Sequence, residues 1–106
     1  MPKYLLQVSY TAEGAKGLLK DGGSKRRAAA KTLVESLGGK LETIYYAFGD
    51  SDAFVIADMP DNASVAAASI TLAASGALTS KTTVLLTPED IDQAAKKTAR
   101  YTPPGR

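Results

Sequence analysis

Residues 45–62, running from Tyr45-Tyr46 through Phe48-Gly49-Asp50-Ser51-Asp52 to Pro60-Asp61-Asn62, constrain the fold more than any other stretch. Two short runs rich in aromatic and β-branched residues flank the turn Gly49 to Ser51, which is the pattern of a hairpin. Pro60 stops the second run, and Asp61 or Asn62 can cap a following helix. Helical patterns lie on both sides of the segment, so it anchors a two-layer α+β arrangement.

The other segments fit around this hairpin. In Tyr4 to Tyr10, residues Tyr4, Leu6, Val8 and Tyr10 share one face and Leu5, Gln7 and Ser9 the other, the period of a strand. Thr11 is placed to cap a short helix with Gly14 at its third position, and Asp21-Gly22-Gly23 predicts a break or bend. Ser24 is expected to cap a second run, Lys25 to Leu37, whose inner face carries Ala29, Ala30, Leu33, Val34 and Leu37. Gly38-Gly39 ends it. In the strand Lys40 to Phe48, residues Leu41, Thr43, Tyr45 and Ala47 are expected to alternate with Glu42, Ile44, Tyr46 and Phe48. Asp52 to Met59 is the third strand. An alanine-rich helix follows from about Ala63 to Ser75, then a fourth strand from Thr79 to Thr87. Thr87, Pro88 and Asp90 make a capping box for a short helix across Ile91, Ala94 and Ala95. Residues 97–106 read as a flexible tail.

The order β-α-β-β-α-β is the ferredoxin-like pattern, an α+β sandwich with one antiparallel sheet and both main helices on one face. The second and third strands carry apolar or aromatic groups on both faces, whereas the helices cover one. A large apolar surface marks a partner, so the remaining face is expected to be buried in a homodimer, with higher oligomers also open. The terminal helix and tail are too short and polar to cover it.

Composition removes several classes of chemistry. The 106 residues suit one domain, residues 1–106. Cysteine and histidine are both absent, which removes disulfides, thiolate nucleophiles and the commonest transition-metal ligands. No cofactor or metal is expected. Thirteen basic against 11 acidic residues leave a net charge of +2, so nucleic acid is disfavoured as a partner. With no long apolar run and no leader pattern, a cytoplasmic protein without a membrane span is expected.

On Tyr45-Tyr46-Ala47-Phe48-Gly49-Asp50-Ser51-Asp52, the following Phe54 to Asn62, the alanine-rich helix ending at Gly76, and Thr82 to Glu89, the chain resembles the GYD-domain family. Gly49 and Asp52 match the signature, and Ser51 stands where a tyrosine is usual. The resemblance runs from Tyr4 to about Asp90. It implies a dimeric α+β barrel and no particular reaction.

Two groups of side chains are candidate sites. Tyr4, Tyr10, Tyr45 and Phe54, with Asp52 and Asp58, could line a pocket for a small apolar or aromatic ligand. Core, interface and turn roles are the simpler reading of the same residues. Ser24, Arg26 and Arg27 form a candidate anion site, and a solvated helical face is its simpler reading. Gly22-Gly23-Ser24-Lys25 lacks the spacing of a phosphate loop. The favoured function is binding of a small molecule or protein partner without catalysis. The alternative is a cofactor-independent oxygenase or isomerase, with a tyrosine and Asp52 or Asp58 as base, an analogy at the level of the fold.

Overall fold

The computed structural model describes residues 1–106. Eight elements follow one another: β1 (Lys3–Tyr10), α1 (Ala12–Asp21), α2 (Gly23–Ser36), β2 (Lys40–Tyr46), β3 (Ala53–Asp58), α3 (Asn62–Ala74), β4 (Leu78–Leu85) and α4 (Pro88–Lys96). The strands form one sheet in the order β2-β3-β1-β4, with every neighbouring pair antiparallel. No helix is long and apolar enough to cross a membrane.

The expected dimeric α+β barrel is not formed. Strands β2 and β4 are free edges that do not pair with each other, so the sheet is open.

Helix starts follow the local chemistry. Thr11 Oγ1 accepts from the Gly14 N–H at 3.2 Å, and Asp61 Oδ1 accepts from the Ser64 N–H at 2.8 Å. Thr87 and Asp90 complete a reciprocal capping box at α4. The start of α2 differs from the expected Ser24 cap. Gly22, at φ +80°, closes α1 through its N–H to Leu18 O and also serves as the N-cap of α2, leaving Ser24 inside the helix. Only glycine reaches that backbone conformation without strain, so the helix starts two residues earlier than a serine cap would require.

The buried core lies between the sheet and the helices. Tyr4, Leu6 and Val8 of β1 and Ala53, Val55 and Ala57 of β3 face it, joined by Val34, Met59, Val65, Ala68 and Leu78. The expected alternation in β2 fails at a register shift between Leu41 and Thr43. Leu41 lies opposite Ala57 and Ile44 opposite Val55, so both turn to the helix side although an unbroken strand would separate them.

The opposite face carries Leu5, Gln7, Ser9, Phe54, Ile56, Thr43, Tyr45, Thr83 and Leu85. At one end, Lys3 Nζ bridges Glu42 at 2.6 Å and Asp58 at 2.9 Å, tying three strands together. The helices leave this face uncovered, and α4 with the tail does not fold back over it. Residues 86–106 are exposed apart from Pro103. The radius of gyration is 17.0 Å, against about 13 Å for a compact chain of this length.

Candidate functional site

Small side chains meet small side chains between the layers. Helix α2 presents Ala29 and Ala30, α3 presents Ala68, and β3 presents Ala53 and Ala57 beneath them. Alanine buries little area and fills little volume, so the helices cannot seal the centre of the sheet. The result is an apolar cavity of about 90 Å³, walled also by Leu33, Ile44, Val65 and Leu72. Sixteen of its 17 lining residues are hydrophobic, and the exception is Arg26. A second, more open depression runs between the start of α2 and β2 along Gly23, Ser24, Arg27, Ile44, Tyr45 and Tyr46.

Tyr10 reaches the cavity from the end of β1, and Tyr46 stands close by. The Tyr46 phenol donates to Gly23 O at 3.2 Å. Burial pushes its pKa above the ordinary value of 10.0, the Tyr10 phenol beside it adds to the rise, and Arg26 and Arg27 pull the other way. The Arg26 side chain is 36% exposed and its guanidinium meets the Asp21 carboxylate at 3.6 Å, longer than a good hydrogen bond. Its stem therefore belongs to the wall of the cavity while its charge stays at the rim.

The expected pocket residues do not gather in one place. Tyr4 and Tyr10 lie on the helix side, and Tyr45, Phe54 and Asp58 on the uncovered side. Tyr4 is buried and donates to Asn62 Oδ1 at 2.6 Å. Asp58 is paired with Lys3. Asp52 holds a joint in the backbone: its Oδ2 accepts from the Tyr10 N–H at 2.8 Å, and its own N–H donates to Val8 O at 2.7 Å. Strand β3 begins only at Ala53, opposite Val8, so Tyr10 lies beyond its reach and the Asp52 side chain stands in for a strand partner. Of the candidate anion residues, Arg26 lines the cavity, whereas Ser24 and Arg27 line the outer groove.

Neither Asp52 nor Asp58 lines the cavity. No buried side-chain nitrogen or oxygen lacks a hydrogen-bond partner. No group of three or more acidic side chains lies close enough to hold a metal ion. Leu33, Ile44 and Leu72 were not among the candidate site residues read from the sequence. The available signal was the coincidence of alanines on two helices with alanines on β3.

The GYD domain model matches residues 4–95, which covers the four strands except Lys3 and α4 except Lys96. The chain belongs to the GYD domain family. In this GYD domain the connection between β2 and β3 is clipped to β1 at Asp52. No curated protein and no solved structure matches the chain closely enough to count as similar.

Proposed function

We propose that this GYD domain is a small-molecule-binding module whose ligand enters the apolar cavity between the sheet, α2 and α3. The cavity itself carries this reading. A tightly packed core of this size has few voids larger than a water molecule. One lined almost wholly by hydrocarbon stays dry and takes apolar guests. Binding without chemistry is favoured because the two carboxylates weighed as bases are occupied elsewhere, Asp52 with a backbone N–H and Asp58 with Lys3.

The module is proposed to work as a homodimer. Support comes from the uncovered sheet face, where Leu5, Phe54, Ile56 and Leu85 lie among polar residues and Tyr45 is 70% exposed. The projecting C-terminal arm offers Leu86, Ile91 and Tyr101 as further apolar contacts.

Methyl NMR under xenon pressure tests the cavity. The expected outcome is saturable shifts of the Leu33, Ile44, Val65 and Leu72 methyls, with those of the uncovered face unmoved. Shifts spread evenly over both faces, or none at all, would overturn the binding reading.

A further inference from the structure

We infer that the ligand of this cavity is a small monoanion with a short aliphatic tail, a branched short-chain carboxylate in chemical class, whose head is held by Arg26 at the rim. The inference rests on the binding reading above and specifies its ligand.

Three features of the site point to this class. The first is size. At about 90 Å³ the cavity is smaller than the cavity of about 150 Å³ that accommodates benzene, so it suits a tail of roughly four carbons. The second is the distribution of polarity. Arg26 is the one charged residue on a lining that is otherwise hydrophobic, so a guest with a single anionic end has one orientation in which both ends are satisfied. A neutral alkane would leave the guanidinium unused, and a cation would face it. The third is the free capacity of Arg26. A guanidinium offers five N–H donors in a planar fork that matches the two oxygens of a carboxylate. Its pairing with Asp21 is long, and Asp21 is shared with Lys25 at 3.7 Å. Tyr10 lines the cavity and Tyr46 lies beside it, with the Tyr46 hydroxyl donating to Gly23 O.

The test compares 3-methylbutanoate with 3-methylbutan-1-ol, which share a tail and differ in charge, by methyl NMR titration of the full chain. The carboxylate is expected to bind about tenfold more tightly, the advantage of a charge-assisted pair. Arg26→Gln should remove that preference, the carboxylate losing clearly more than the alcohol, and Arg26→Lys should retain part of it. Melting curves of both variants establish that they fold. Equal affinity of the two compounds for the unaltered protein would overturn the inference and leave the cavity reading standing. So would an Arg26→Gln variant that weakens both alike. If neither compound binds and xenon also stays out, the binding reading itself has failed.

Discussion

Asp52 carries a bond that the strands cannot supply, and removing it separates structure from chemistry. Asp52→Ala leaves the Tyr10 N–H without its acceptor and is expected to cost about 1–3 kcal/mol in urea melts, whereas Asp52→Asn, which keeps an oxygen, should cost clearly less. Equal losses would mean that the charge, and not the hydrogen bond, matters there. Two glycines of α1 make a second contrast. A methyl at Gly14 would overlap the Ala77 carbonyl, while one at Gly17 would meet open space. Gly14→Ala should therefore destabilise by about 2–3 kcal/mol and Gly17→Ala should stabilise by about 0.5–1 kcal/mol. Asp61 supplies a pH dependence. The Ser64 N–H, and then the Ser64 hydroxyl, hold its carboxyl below 3.8, so its contribution is present above that value and is lost as pH falls through the lower, folded pKa. Acid melting of Asp61→Asn, which cannot titrate, should lack that component, and an unchanged acid profile would exclude it. The caps Thr11, Asp61 and Thr87 were readable because each acts over three residues. Ser24 misled because a positive φ at Gly22 preceded it.

At the scale of elements, the cavity is the consequence of two alanine-rich helices over an alanine-bearing strand. Ala30→Leu adds three carbons to the wall of a void and is expected to raise stability by about 1 kcal/mol while abolishing xenon uptake. Lower stability with uptake retained would mean that the side chain does not enter the cavity. The positions and types of the strands and helices followed from hydrophobic period and turn residues, and their ends differ by a few residues from those observed. The facing of β2 did not follow, because a single extra residue between Leu41 and Thr43 reverses which side chains meet the helices. A bulge is a relation between two strands, and alternation within one strand carries no trace of it. The grouping of the tyrosines and aspartates failed for a related reason. Strand parity distinguishes two faces but does not say which face of one strand adjoins which face of the next.

The whole molecule is long, 58 × 32 × 22 Å, because the chain after β4 leaves the body. An isolated nine-residue helix such as α4 is marginal in water despite its capping box, so it gains most of its stability from whatever it packs against. If two copies associate, native mass spectrometry at micromolar concentration should give twice the 11.0 kDa chain mass. Tyr45→Asp on the uncovered face, and removal of residues 87–106, should each shift that equilibrium towards the single chain. A single-chain mass for the unaltered protein would exclude the homodimer. Mass and melting that stay unchanged in Tyr45→Asp would remove Tyr45 from the contact.

The sequence alone determined the kinds of element, their order and their caps, because period, proline, glycine and capping side chains act on the nearest few residues. It also excluded thiol and imidazole chemistry, since the chain has neither group. Tertiary structure decided that the sheet stays open, that Leu41 and Ile44 face the helices, and that Arg26 stands at the rim of an alanine-walled cavity. These are properties of the space between elements, and they arise only when layers distant in the chain are brought together.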